Sequence, residues 1–426
     1  MKRALLLLSL LAVPCVVTSY MAEAAPSTDT AAPGTDAATV SPLDKLCKLL
    51  KLYGYSDAEI KIFRAGYTGD TATLENLKGK NHIGIYCKGA AAAGNKELVL
   101  QCLDKGADPN AGLVDAAAGG HMDIVQLMLD KGACPDYGLM GAALGGHMDI
   151  VQLMLDKGAT DYDWGLRGAA KGGHIAIVQL MLSKGATDYD WGLRGAALGG
   201  HMDIVQLLLS KGAHPNDGLE GAAEGGHMDI VQLMLDKGAT NYNDGLEGAA
   251  EGGHMDIVQL MLDKGANPDW GLWDAAKGGH MDIVQLLLSK GADPNYGLEG
   301  AAEGGHMDIV QLLLSKGATD YDSGLYFAAW GGHMDIVRLL LSKGATDYNH
   351  GLWGAAQGGH MDIVQLMLDK GAHPDAGLEG AAVGGNFDIV QLMLSKGATN
   401  LDSALDEAES NGHTKCAELI RAAMKK

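Results

Sequence analysis

The sequence predicts an all-α solenoid of stacked helix-turn-helix repeats, and two observations lead to this prediction. The motif Gly-Leu-x-Gly-Ala-Ala-x-Gly-Gly-His-Met-Asp-Ile-Val-Gln-Leu recurs, with small changes, thirteen times after residue 80. The histidine slot of the motif marks the copies at intervals of 26 or 27 residues, at Asn95, His121, His147, His174, His201, His227, His254, His280, His306, His333, His360, Asn386 and His413. Such a short, fixed period is typical of units that pack only on their neighbours.

The first 24 residues read as a signal peptide. Lys2 and Arg3 provide a positive start, and residues 4–13 are apolar apart from one serine. Residues 22–24, Ala-Glu-Ala, then offer a small-x-small cleavage site. The sequence therefore predicts a secreted or periplasmic protein.

Two alternatives for this segment stay open. A membrane anchor would need about 20 apolar residues, whereas the apolar run ends near Val17. Lipid modification of Cys15 is the other alternative, but Pro14 directly before it is a poor fit to a lipoprotein signal. Neither alternative fits the sequence as well as export does.

Four further segments follow the signal peptide. Residues 25–41 are rich in Ala, Thr, Pro, Ser and Asp and predict a flexible leader. Residues 42–80 predict an N-terminal helical cap with a degenerate repeat, and residues 81–400 form the repeat array. Residues 401–426 predict a C-terminal capping repeat, because the ends of a solenoid need a wettable face.

Each copy has room for two helices. The second has apolar residues at helical spacing, such as Ile124, Val125, Met128 and Leu129, and Gly132 marks its end. The first is predicted to be short, as over residues 113–118. A glycine inside most first helices costs about 1 kcal/mol relative to alanine, so the helix needs the stack to persist.

The motif Leu-x-x-Ala-Ala-x-x-Gly-His-x-x-Ile-Val-x-Leu-Leu-Leu-x-x-Gly-Ala resembles the ankyrin repeat, and the resemblance covers residues 84–426. It implies an ankyrin-type solenoid that binds a protein or peptide through the concave side lined by first helices. Some secreted members of the family act as effectors on another organism's proteins. The family repeat has 33 residues, and these shortened copies lack most of the projecting hairpin finger.

The links that replace the finger follow a rule. A proline two residues after Gly-Ala, as at Pro109, gives a spacing of 26, whereas a link that begins with threonine, as at Thr160, gives 27. Proline presets one backbone angle, and Asp or Asn can bond to the nearby backbone. The rule predicts two compact turns.

Three positions vary freely: the residue before Gly-Leu, the residue after that leucine and the residue before Gly-Gly-His. The last two are four residues apart and share one face of the first helix. All six tryptophans fall in these positions, and Arg and Trp are common at interface hot spots. The predicted partner-binding residues are Trp164, Arg167, Lys171, Trp191, Arg194, Glu220, Glu224, Glu247, Glu251, Trp270, Trp273, Lys277, Glu299, Glu303, Tyr326, Phe327, Trp330 and Trp353.

These residues fall into zones along the chain, with a cationic aromatic start, an acidic ladder and an aromatic end. The formal charge of −21 favours cationic or mixed-charge protein partners over nucleic acid or anionic membranes. Alternatively, the glutamates only solubilise the helices and the aromatic residues fill space left by the lost finger.

No motif for catalysis, a cofactor or a metal site is present. We therefore expect a binding protein that is not an enzyme and needs no cofactor. The capped ends favour a monomer. A glycan- or cell-wall-binding solenoid, with aromatic rings stacked on sugars, and a structural scaffold of the cell envelope remain as alternatives.

Overall fold

The computed structural model describes residues 43, 44, 47, 50, 57–77 and 80–425. The predicted signal peptide and leader lie outside the described residues. The chain divides into two compact units, an N-terminal unit of residues 1–240 and a C-terminal unit of residues 241–426. In the described part of the chain all regular structure is helical and strands are absent.

Fourteen helices lie within the described residues 57–240 of the N-terminal unit. They are α1 (Asp57–Thr68), α2 (Thr71–Asn76), α3 (Lys80–Ala92), α4 (Lys96–Asp104), α5 (Leu113–Ala118), α6 (Met122–Asp130), α7 (Pro135–Gly145), α8 (Met148–Asp156), α9 (Tyr162–Lys171), α10 (Ile175–Lys184), α11 (Tyr189–Leu198), α12 (Met202–Ser210), α13 (Pro215–Gly225) and α14 (Met228–Asp236).

Fourteen more helices form the described part of the C-terminal unit. They are α15 (Tyr242–Gly252), α16 (Met255–Asp263), α17 (Asp269–Gly278), α18 (Met281–Ser289), α19 (Pro294–Gly304), α20 (Met307–Ser315), α21 (Tyr321–Gly331), α22 (Met334–Lys343), α23 (Tyr348–Gly358), α24 (Met361–Asp369), α25 (Pro374–Gly384), α26 (Phe387–Ser395), α27 (Leu401–Ser410) and α28 (Thr414–Met424).

From α3 onward the odd-numbered helices are the first helices of the copies and the even-numbered helices are the second. Each first helix packs on the second helix of its own copy and on the first helices of adjacent copies in its unit. The predicted solenoid is confirmed. Within each unit the core is a series of small layers, in which each copy covers the apolar face of the next.

The second helices follow the sequence prediction closely. In α20, Ile309, Val310 and Leu313 are buried, while Leu314 is half-buried. Gly317 ends the segment with φ at +101°, a backbone conformation that glycine adopts without strain. Apolar periodicity and the glycine stop were therefore sufficient to place this helix.

The first helices differ from the prediction. Helix α5 is short as expected, but most other first helices span ten or eleven residues because they begin inside the link. Most links with proline place it in the first turn, as Pro294 does after the extended residue Asp293. Most links with threonine use an Asp cap, and Asp161 accepts a hydrogen bond from the Trp164 amide at 3.3 Å. The two predicted link types are thus two ways of starting a helix.

Sequence reasoning missed a clamp between successive links. Two residues before the glycine of each Gly-Leu, an Asp or Asn side chain accepts a hydrogen bond from a backbone amide 24 residues later. The pairs in the N-terminal unit are Asn110–Cys134, Asp136–Thr160, Asp163–Thr187, Asp190–His214 and Asn216–Thr240. Those in the C-terminal unit are Asn243–Asn267, Asp269–Asp293, Asn295–Thr319, Asp322–Thr346, Asn349–His373 and Asp375–Thr399. This clamp ties neighbouring links together where the family has its finger.

Replacing Asp322 with alanine is expected to destabilise the contact between its copy and the next by about 1–2 kcal/mol. Asp322 Oδ1 accepts hydrogen bonds from the amides of Thr346 at 2.6 Å and Asp347 at 2.9 Å, and alanine removes both. Asp322→Asn is the matched control, since Asn295 makes the same two bonds one copy earlier. Chemical denaturation of the three proteins measures the effect, and equal losses for the alanine and asparagine variants would contradict the clamp.

The histidines form a second series of contacts between copies. His306 Nε2 lies 3.0 Å from the carbonyl oxygen of Lys277, in the preceding copy. The imidazole also fills the space beside Gly279, where an added Cβ would lie 2.6 Å from His306 Cε1. This explains the recurrent Gly-Gly-His motif through packing and a backbone contact.

Candidate partner-binding surface

The variable positions lie on one side of each first helix. In α19, Leu298, Ala301 and Ala302 are fully buried, whereas Glu299 and Glu303 are half-buried. The leucine and alanines hold the helix in the stack, so the residues between them project from it. Each first helix therefore presents two positions, one turn apart, on a shared face.

In the N-terminal unit, Trp164 packs on the neighbouring copies. Its indole contacts Val114 and Met140, the residues after the leucine in the two preceding copies. Both of these residues are buried. Trp164 is therefore anchored by apolar packing, while Arg167 and Lys171 on the same helix are half-buried.

Helices α9, α11 and α13 carry a charged aromatic cluster. The guanidinium carbons of Arg167 and Arg194 lie 4.6 Å and 5.6 Å from the centroid of the Trp191 ring. Arg194 also reaches the next copy, with Nη2 2.7 Å from Glu220 Oε1 and 3.7 Å from Glu224 Oε2. The ion pair and the ring contact fix the side chain of Arg194, and Trp191 remains 39% exposed.

In the C-terminal unit, Lys277 joins two copies in a similar way. Its Nζ lies 4.5 Å from the Trp273 ring centroid and 2.6 Å from Glu303 Oε1 in the next copy. Burial raises the pKa of the Glu303 carboxyl, and the ammonium of Lys277 opposes that rise. A lysine here is thus held between an indole and a carboxylate.

Asp274 occupies a slot that holds glycine in most other copies, as at Gly300. Its side chain is half-buried and lies close to Glu247 and Glu251 of the preceding copy. Burial, together with these two carboxylates, raises the pKa of Asp274 to about 8, and Lys277 opposes the rise. The carboxyl group is therefore largely protonated at neutral pH.

The aromatic end of the surface is a stacked cluster. The ring of Tyr326 stacks on His350 at a centroid distance of 4.3 Å and lies 5.7 Å from Trp353 and 4.9 Å from Phe327. Its hydroxyl donates to Gln357 Oε1 at 3.5 Å. Burial, with a smaller contribution from the Glu303 charge, raises the pKa of Tyr326 to about 12. The rings support one another, which gives a rigid surface with little rotamer entropy to lose on binding.

The structure places the remaining predicted residues as follows. Trp270 is 51% exposed, and Glu247 and Glu251 are also exposed. Trp330 is half-buried and belongs to the same helix as Tyr326. None of the six tryptophans is in the buried core.

The predicted cationic start and acidic ladder are in contact, because Arg194 of the first forms an ion pair with Glu220 of the second. It also adds residues that sequence reasoning missed, His350, Gln357 and Asp274. His350 and Gln357 occupy two of the three variable positions, so the positional rule alone could have included them. Asp274 is an aspartate in a glycine slot, which is visible in the sequence.

These features define a class, a helical repeat protein whose first helices carry half-buried and exposed charged and aromatic side chains in each unit. The model of the family described as ankyrin repeats (3 copies) matches residues 193–271, 219–297, 272–351 and 298–377. Residues 193–377 of the chain therefore contain ankyrin repeats. Ankyrin repeats indicate a protein-binding repeat protein.

A comparison with solved structures matches the ankyrin repeat domain of human ASB11, known from a crystal structure. It is 24% identical, and the match covers 42% of this chain and 96% of that one, with a TM-score of 0.32. A search of curated proteins gives no match. Among the described residues, no helix is both long and apolar enough to cross a membrane.

Proposed function

We propose that this protein is a secreted ankyrin-repeat binding protein that engages a protein or peptide through the face of its first helices. The observation that supports this most directly is the position of the tryptophans. They lie outside the core, and several are braced by stacking or cation contacts. A braced, partly exposed indole is a good anchor because most of its freedom is already lost before binding.

Export is part of this proposal and derives from the signal predicted in residues 1–24. A protein exported in this way would meet its partners outside the cytoplasm, including proteins of another organism. A non-enzymatic role is also proposed, since the surface is a row of side chains on rigid helices. Rings stacked with Arg, His or other rings suit protein side chains better than sugars.

Replacing Trp330 and Trp353 with alanine is expected to weaken binding of peptides selected on the full chain by about 2 kcal/mol, or roughly 30-fold. The backbone oxygen of Trp330, which contacts His360 Nε2 at 3.0 Å, is kept in the variant, so the stack is preserved. Phe387→Ala is the control, because Phe387 is 40% exposed on the second helix α26.

Binding isotherms against peptides from a display library measure the loss. Unchanged affinity in the double variant would remove the aromatic residues from the site. A screen that yields glycan ligands and no peptides would favour the glycan-binding alternative instead.

A further inference from the structure

A second feature of the C-terminal unit concerns the chemistry of the partner. Three successive first helices, α15, α17 and α19, present carboxyl groups beside indoles. We call this the acidic aromatic surface, and it consists of Glu247, Glu251, Trp270, Trp273, Asp274, Lys277, Glu299 and Glu303.

The charge of this surface is unbalanced. It has five carboxyl groups and one ammonium, so it is acidic even with Asp274 protonated. Burial and the neighbouring carboxylates hold the pKa of Asp274 at about 8, which shows how strongly negative charge is disfavoured there. A positive group placed on the surface would relieve that repulsion.

The chain itself shows how a cation is held on such a face. Lys277 lies between the Trp273 ring at 4.5 Å and Glu303 at 2.6 Å. In the N-terminal unit, Arg194 lies in the same way between Trp191 and Glu220. Each arrangement uses an indole from one copy and a carboxylate from the next, at the variable positions of first helices. Both kinds of basic side chain are thus accommodated.

Part of the acidic aromatic surface is open to solvent. Trp270 is 51% exposed, and Glu247 and Glu251 on the adjacent helix are exposed too. An indole and two carboxylates therefore face solvent beside Trp273 and Asp274. Lys277 and Arg194 are each held by the same two kinds of group, an indole and a carboxylate. The surface therefore offers a basic side chain of a partner the chemistry that already holds these two cations.

We propose that the acidic aromatic surface docks a lysine- or arginine-bearing segment of another protein. The proposal rests on the function proposed above and specifies the chemistry of the partner at this part of the face. Its basic side chains contact the carboxylates of Glu247 and Glu251, and their aliphatic stems cover the ring of Trp270.

The test uses the full chain and a random-sequence peptide display library. Peptides selected on the wild type are expected to be enriched in Lys and Arg, and their affinity should fall with added NaCl. The double variant Glu247→Gln/Glu251→Gln is expected to weaken them roughly tenfold. The control, Asp256→Asn/Asp263→Asn, removes two charges from the second helix of the same copy and should change affinity less than about twofold.

The outcomes separate this inference from the function on which it rests. A library that yields no binding peptide contradicts both. The inference is overturned if the selected peptides are acidic or purely apolar. It is also overturned if basic peptides keep their affinity for the Glu247→Gln/Glu251→Gln variant. If such peptides still lose affinity with Trp330→Ala/Trp353→Ala, peptide binding by the first helices stands without it. Equal losses in the test and control variants would indicate attraction by total charge and would also overturn it.

Discussion

Replacing Gly300 with alanine is expected to destabilise the C-terminal unit by roughly 2 kcal/mol, although alanine is the better helix former. A Cβ added at Gly300 would lie 2.2 Å from the carbonyl oxygen and 3.0 Å from the carbonyl carbon of Trp273. Backbone atoms cannot rotate away as a side chain can, so α19 and α17 must separate. Helix propensity offers only about 1 kcal/mol in return.

Gly84→Ala is the matched control for this prediction. Gly84 also lies inside a helix, α3, but its added Cβ would meet only Ala111 Cβ at 3.6 Å, an ordinary contact. That variant should be neutral or more stable by up to about 1 kcal/mol. Hydrogen exchange of the amides in α17 to α19, compared with those in α3, reports each effect locally. Slower exchange around Gly300→Ala would show that propensity outweighs the clash.

The same contact explains a feature that looked unfavourable in the sequence. Glycine inside a first helix weakens that helix, but it lets the next backbone approach. At Gly300, the backbone of Trp273 occupies the space that a Cβ would need. Helix propensity acts within one segment, and the compensating contact comes from a residue one copy earlier.

Features that depend on residues close together in the sequence were predicted, whereas contacts between residues one copy apart were missed. A buried apolar stripe within five residues, as at Ile309, Val310 and Leu313, is visible in the sequence. The second helices were therefore predictable. The clamp at Asn295 and Asp322 joins residues that are 24 positions apart, and asparagine and aspartate serve equally well. In a link, either residue is typical of an ordinary turn, so a bond between copies could not be predicted from residue type.

The candidate site shows the same limit. The positional rule selected the face from side-chain types alone, because core slots exclude tryptophan and glutamate. It could not show that Arg194 and Lys277 each pair with a glutamate of the next copy. Those pairs depend on which flank of a helix faces its neighbour, and that is set by the stacking of whole copies.

The second prediction concerns pH. Asp274→Asn is expected to make the C-terminal unit more stable than the wild type by on the order of 2 kcal/mol at pH 9. The pKa of Asp274 is raised to about 8 in the folded protein, whereas an unfolded aspartate titrates near 4. The folded state therefore holds its proton more tightly, and this contribution to stability is complete below about pH 4.

As pH rises from about 4 through 8, the wild type loses that contribution, because the carboxylate that forms is half-buried beside Glu247 and Glu251. Asparagine stays neutral, so the difference between the two proteins should be small near pH 4, grow with pH and level off above about 8. Urea denaturation at several pH values measures it. Asp263→Asn in α16, which removes a carboxylate hydrogen-bonded to Gln259 Nε2 at 2.7 Å, controls for the loss of one charge from the unit. A difference between Asp274→Asn and the wild type that stays constant from pH 4 to pH 9 would mean that Asp274 is not held protonated by its neighbours.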